Sequence, residues 1–209
     1  MIKGIDISKW NDLKADDFNT IRNAGYDFVI IRAGGNNGGY YTDPKYIDYY
    51  YWAHEAGLKV GAYYDTGKNF CEAHIGYACA CHFNTLLQGK YFEMPVYFDI
   101  ETVPTVYKKG ATDAAITACQ LMENLNFYVG IYASDISGFK ERLELSRLSN
   151  YTLWVARYGN RPQYVKKYDM WQRSSEGKIE GIRCNFDIDV CYKDFTKAIK
   201  KKRLNGMRT

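Results

Sequence analysis

The sequence predicts an α/β fold, a shortened TIM-like barrel of about (β/α)5β3 organisation. Three observations carry this. Short apolar runs alternate with amphipathic stretches over most of the chain, the mark of parallel βαβ units. The runs show little internal alternation, as in Phe28-Val29-Ile30-Ile31, which suits strands covered on both faces. Eight such runs fit into 209 residues, and the last three leave no room for full helices between them.

Residues 2–7 read as the first strand, and 12–24 as a helix with Asn11 or Asp12 near its cap. Residues 28–33 form the second strand, and Gly34, Gly35, Gly38 and Gly39 a loop. Pro44 suits the first turn of a helix that runs to Ala56 and stops at Gly57. A strand at 58–64 and a helix at 71–87 follow. Next come a strand at 94–100, a helix at 111–124, a strand at 127–132 and a weaker helix at 136–145. Strands at 152–156, 168–172 and 185–190 close the barrel, and a last helix covers 192–202. No linker or repeat interrupts this pattern. The barrel is assigned to residues 1–196 and a basic, solvated tail to 197–209.

Composition narrows the function. No apolar stretch reaches the 18 residues of a membrane span. The net charge of +4 is mild, and its one cluster lies at Lys197, Lys200, Lys201, Lys202 and Arg203. A nucleic-acid partner is not expected from it. The six cysteines contain no C-x-x-C pair, so neither zinc nor any other metal is expected. The N-terminus lacks the apolar run and small-residue cleavage site of a signal peptide. Free thiols and synthesis in a host cytoplasm are the corresponding expectations. Tyrosine is abundant, with 20 residues; its flat face and polar tip suit cores, interfaces and sugar platforms alike.

In a barrel of this kind chemistry gathers at the C-terminal ends of strands. Asp6, Arg32, Tyr63, Tyr64, Tyr132, Trp154, Trp171 and Gln172 fall there, with Asp187 and Asp189 in the last strand. The sharpest feature is Tyr97-Phe98-Asp99-Ile100-Glu101. Alternation places Asp99 and Glu101 on one side with Ile100 turned away. Like charge and partial burial then keep one carboxyl protonated, as the protonation of a glycosidic oxygen requires. His54, His74 and His82 lie in predicted helices outside the barrel, so cysteine–histidine catalysis has no site. Gly34–Gly39 lacks the Lys-Ser/Thr of a phosphate-binding loop.

These residues resemble glycoside hydrolase family 25, the Chalaropsis-type lysozymes. The likeness runs over about residues 3–195. It includes Gly4-Ile5-Asp6-Ile7-Ser8 with Trp10-Asn11, Asp43-Pro44, Gly130-Ile131-Tyr132, Leu153-Trp154-Val155-Ala156, Trp171-Gln172 and Phe186-Asp187. The resemblance implies cleavage of the β-1,4 bond between N-acetylmuramic acid and N-acetylglucosamine in bacterial peptidoglycan, with no cofactor. It implies Glu101 as general acid and then base, and Asp99 as the group orienting the substrate acetamido, with Asp6 and Asp187 supporting them. Tyr63, Tyr64, Arg32, Tyr97, Tyr132, Trp154, Trp171, Gln172 and Asp189 are assigned to substrate binding. Retention by substrate assistance is expected, with direct attack by an aspartate as the competing mechanism. The expected setting is a monomeric phage endolysin released through a holin-type pore. The alternatives are a non-catalytic glycan-binding barrel and a chitinase-like enzyme of family 18. The latter is disfavoured by Met94-Pro95-Val96-Tyr97, where that family carries aspartates and glycine.

Overall fold

The computed structural model of the chain describes residues 1–207. Nine strands form one sheet: β1 (Ile2–Ile7), β2 (Phe28–Asn36), β3 (Tyr40–Thr42), β4 (Lys59–Asp65), β5 (Val96–Asp99), β6 (Val129–Ser134), β7 (Thr152–Ala156), β8 (Met170–Gly177) and β9 (Phe186–Cys191). Their order is β1-β9-β8-β7-β6-β5-β4-β2-β3, and β1 also pairs with β2. Eight strands therefore close a barrel, and β3 stands outside the ring as a hairpin on β2. Seven barrel strands run parallel. β9 alone is reversed, antiparallel to both β8 and β1.

Four helices cover the barrel: α1 (Ala15–Asn23), α2 (Tyr46–Glu55), α3 (Ala73–Leu87) and α4 (Lys108–Asn124). The expected fifth helix at 136–145 is instead one wide turn over Asp135–Lys140, closed by the Glu141 N–H donating to the Ile136 carbonyl five residues back. No helix separates β7 from β8 or β8 from β9. The shortened barrel is thus observed, with four full helices and one vestigial turn.

Period-2 alternation divides the core into two layers. Between strands and helices lie Val29, Ile31, Val60, Ala62, Tyr64, Phe98 and Ile131 with the apolar faces of α1–α4. Inside the barrel lie Phe28, Ile30, Met94, Tyr97, Trp154, Met170 and Cys191. Gly130 keeps the interior open at one level: a Cβ there would sit 2.6 Å from the Tyr97 ring and from the Thr152 carbonyl oxygen.

Two local expectations change. Gly34 and Gly35 are not loop residues. They extend β2 and pair with Thr42 and Tyr41 of β3, leaving the turn to Gly38 and Gly39. The basic C-terminal cluster is not a loose tail either. It lies on α5 (Phe195–Lys202), which buries Phe195 and Ile199 in the barrel floor. Beyond it, buried Asn205 donates to the Met94 carbonyl at 2.9 Å and accepts from the Tyr128 N–H at 2.6 Å. Apolar and backbone contacts therefore hold this segment, while its lysines face water. Arg208 and Thr209 lie outside the described residues.

Candidate active site

The strand ends place an acidic cluster at the mouth opposite α5. β5 ends at Asp99, whose Cα pairs with Asp65 of β4 and Tyr132 of β6. The chain stays extended one step further because Ile100 N–H donates to the Tyr132 carbonyl at 3.0 Å. Ile100 is fully buried and turned outward, so Asp99 and Glu101 share the inner side. Asp6 of β1 pairs with Asp187 of the reversed β9, which brings two more carboxyls to the same opening.

Asp6, Tyr63, Asp99, Glu101, Tyr132, Trp154, Tyr158, Gln172 and Asp187 enclose a central cavity of 160 Å³. A 460 Å³ cavity adjoins it on the side of Trp10, Arg32 and Asn185. A 420 Å³ cavity adjoins it on the side of Asp135, Arg157 and Tyr158. Glu101 lines all three. The three form one groove with Glu101 at its middle.

Hydrogen bonds fix the groove floor. Tyr132 Oη donates to Gln172 Oε1 at 2.8 Å, and Gln172 Nε2 donates to Asp6 Oδ2 at 2.7 Å. Trp154 Nε1 donates to Asp189 Oδ1 at 2.8 Å. Asp6 and Asp189 are neighbouring buried carboxyls, and Asp189 Oδ2 has no hydrogen-bond partner. Burial raises both carboxyls, and a proton kept on one of them would let it donate to the other. On one flank Arg32 is held by buried Asp43 through a 2.7 Å ion pair. On the other, Asp135 accepts from the N–H groups of Gln163, Tyr164 and Val165 and from Arg157 at 2.7–3.2 Å. That cluster pins the β7–β8 connection, which carries Tyr158 into the groove. Burial alone would raise the Asp135 carboxyl, but these donors hold it below its ordinary range.

The acids of the mouth are pushed toward protonation. Burial, then the Glu101 and Asp65 charges, raise Asp99, with Arg32 opposing. Burial raises Glu101, with the Tyr132 hydroxyl and Arg142 opposing and Asp65 reinforcing. Burial and then Glu101 push Asp187 to about 6. Burial first, then the neighbouring aspartates Asp189 and Asp187, raise Asp6.

The sequence-predicted residues separate into three groups. Asp6, Asp99, Glu101, Asp187, Tyr63, Tyr132, Trp154 and Gln172 meet at the central cavity, and Arg32 faces the adjoining one. Tyr97 and Asp189 are interior but fully buried and line none of the three cavities. Tyr64 and Trp171 point out of the barrel. Tyr64 hydrogen-bonds His82 of α3 at 2.9 Å, and Trp171 Nε1 donates to the Arg157 carbonyl at 2.7 Å. Their neighbours Tyr63 and Gln172 take the inward positions, and strict alternation excludes both members of such a pair. Tyr158, which sequence reasoning missed, donates from its hydroxyl to Gln172 Oε1 at 3.3 Å. It sits on an irregular connection with no periodicity to mark it. Among the described residues, no group of three His, Cys, Asp or Glu side chains forms a metal site. All six cysteines are free.

Comparison with known proteins agrees with this fold. The "Autolytic lysozyme" of Clostridium acetobutylicum is 28% identical over 189 residues, 90% of this chain and 55% of that protein. The chain thus spans about half the length of this curated relative. The CTP1L endolysin crystal structure is 29% identical and superposes with a TM-score of 0.82 over 96% of this chain and 70% of its own. A bacterial lysozyme from Streptomyces coelicolor, 22% identical, shares the fold with a TM-score of 0.69 over 92% of both chains. Residues 5–182 match Glycosyl hydrolases family 25. That match covers α1 to α4 and every barrel strand but β1's first residues and β9, and the chain belongs to Glycosyl hydrolases family 25.

Proposed function

We propose that the chain is a lysozyme, an N-acetylmuramidase that hydrolyses the β-1,4 bond between N-acetylmuramic acid and N-acetylglucosamine in bacterial peptidoglycan. The observation that carries this is the position of Glu101, at the middle of a three-part groove and raised toward protonation by burial. A sugar chain laid along the groove presents its central glycosidic oxygen to that carboxyl. Glu101 donates its proton to the leaving oxygen and then, as carboxylate, withdraws one from the incoming water.

Asp99 shares the inner side with Glu101 and has one fully buried oxygen, Oδ1, without a hydrogen-bond partner. We assign that oxygen to the N–H of the substrate acetamido group, whose carbonyl oxygen attacks the anomeric carbon and gives net retention. Asp6 and Asp187 hold the floor and rim. Tyr63, Tyr132 and Tyr158 supply ring faces and hydroxyls to the sugars.

The family match and the endolysin and autolytic lysozyme likenesses support this reading over a non-catalytic barrel or a chitinase. The same likenesses support a wall-lysing setting, for which we propose a monomeric phage endolysin that reaches the wall through a pore made by another protein. Mass analysis of fragments released from purified walls and then reduced with borohydride tests the activity. Reduced muramic acid ends are expected; reduced glucosamine ends or free peptides would overturn it.

A further inference from the structure

A cavity of 850 Å³ lies apart from the catalytic groove. It sits on the outer wall of the barrel, beside β7 and the start of β8, toward the floor end. In a complete barrel a helix would cover this wall. Here the segments 145–151, with a single 3₁₀ turn at Leu145–Leu148, and 161–169 cross it without an α-helix, and the groove occupies the gap between them.

Its lining is not that of an ordinary exposed seam. Four tyrosines face it: Tyr151, Tyr164, Tyr168 and Tyr192. Tyr168 and Tyr192 meet edge to face at 5.8 Å. Among the described residues, none of the four hydroxyls hydrogen-bonds to the protein. Arg161, Lys166 and Lys167 stand at the same groove, exposed and without an ion-pair partner. Its single acid, Asp169, already faces Lys193 at 3.6 Å. The groove therefore offers uncommitted aromatic faces, hydroxyls and positive charge together.

We propose that this groove is a second binding site for the anionic glycan strand of peptidoglycan, separate from the catalytic groove. The inference rests on the lysozyme reading for the identity of the polymer. Pyranose faces stack on the tyrosine rings, and carboxylates carried by the strand meet Arg161, Lys166 and Lys167. The rings favour a strand of sugars over an acyclic phosphodiester polymer, which has no face to stack. A strand held here keeps the enzyme on an insoluble wall while the catalytic groove cuts and releases.

The test uses the full chain in the non-cutting Glu101→Gln background, co-sedimented with purified walls stripped of phosphodiester polymers. Retention is compared with and without Tyr164→Ala, Lys166→Glu and Lys167→Glu combined. A Lys197→Glu, Lys200→Glu, Lys201→Glu variant of α5 controls for net charge. Wall affinity is expected to fall about tenfold with the groove variant and to stay within about twofold with the control. In the wild-type background, turnover of short soluble oligosaccharides by the groove variant is expected within about twofold of wild type. Unchanged retention overturns the site. An equal loss in the α5 control reduces it to general attraction and overturns it. Binding only to walls that keep their phosphodiester polymers transfers the groove to that ligand and overturns the glycan assignment. Release of reduced muramic acid ends by the wild type, measured in parallel, fails only if the lysozyme reading fails.

Discussion

Asp6 and Asp189 are neighbouring buried carboxyls beneath the acidic groove, with Gln172 donating to the first and Trp154 to the second. Burial raises both, and a proton kept on Asp6 would be donated to Asp189 Oδ2, which is buried without another partner. Asp6→Asn reproduces that neutral member: its carbonyl accepts from Gln172 and its amide donates to Asp189. Asp6→Ala leaves both partners unpaired in a buried site. Urea unfolding at pH 7 is expected to place Asp6→Asn near wild type and Asp6→Ala about 1–3 kcal/mol below it. Equal losses in the two variants would disprove the shared proton.

In the proposed lysozyme reading, hydrolysis depends on Glu101. Glu101→Gln keeps the size of the side chain and removes its transferable proton. Wall lysis is expected to fall about a hundred- to ten-thousand-fold with an unchanged melting temperature. Release of reducing ends at the wild-type rate would refute the assignment.

Asp187 links activity to stability through pH. Its folded pKa is raised from 3.8 to about 6 by burial and by Glu101. A raised carboxyl contributes stability that is fully present below the ordinary value and is lost as pH rises through the folded one. Asp187→Asn removes that loss. The variant is expected to gain denaturation resistance relative to wild type at pH 8 and not at pH 4, while losing turnover. A pH-independent difference between the two proteins in urea midpoints would contradict it.

Asn205 fastens the floor. Its side chain serves the Tyr128 N–H and the Met94 carbonyl, and its backbone accepts from Phe92 N–H at 3.0 Å. Asn205→Ala orphans two buried backbone groups and is expected to cost about 1–3 kcal/mol. The groove lies at the opposite end, so KM for soluble oligosaccharides is expected to hold. A loss of substrate affinity without a loss of stability would be the contrary result.

Much of this molecule was legible in its residues. The eight barrel strands and the convergence of Asp6, Asp99, Glu101 and Asp187 follow from apolar runs that end in acids. Which aromatic faces the groove did not follow from position at a strand end alone. Tyr63 and Tyr64 are equally near the end of β4, and only the parity set by the Arg32 pairing and the irregular step to Gly34 turns Tyr63 inward. The reversal of β9 was not legible either, because strand direction leaves no period in the sequence. Nor was Tyr158, whose place depends on the charged knot around Asp135. In place of a helix at 136–145 the chain makes one wide turn, in which Gly138 sits against the Ala133 side chain, where a Cβ would lie 2.6 Å away.

The reversed β9 also sets the polarity of the whole body. It returns the chain to the level where β1 begins, so that Ile2 pairs with Cys191. Leu204 and Met207 pack with Ile2 against the same interior cluster. Both extremities of the described chain thus emerge on the face turned away from the acidic mouth. An appended module at either extremity would hang behind the barrel like a keel, leaving the cutting edge unobstructed. Splicing the two extremities together and reopening the chain at the Gly38–Gly39 turn would make a circular permutant that keeps every ladder of the ring.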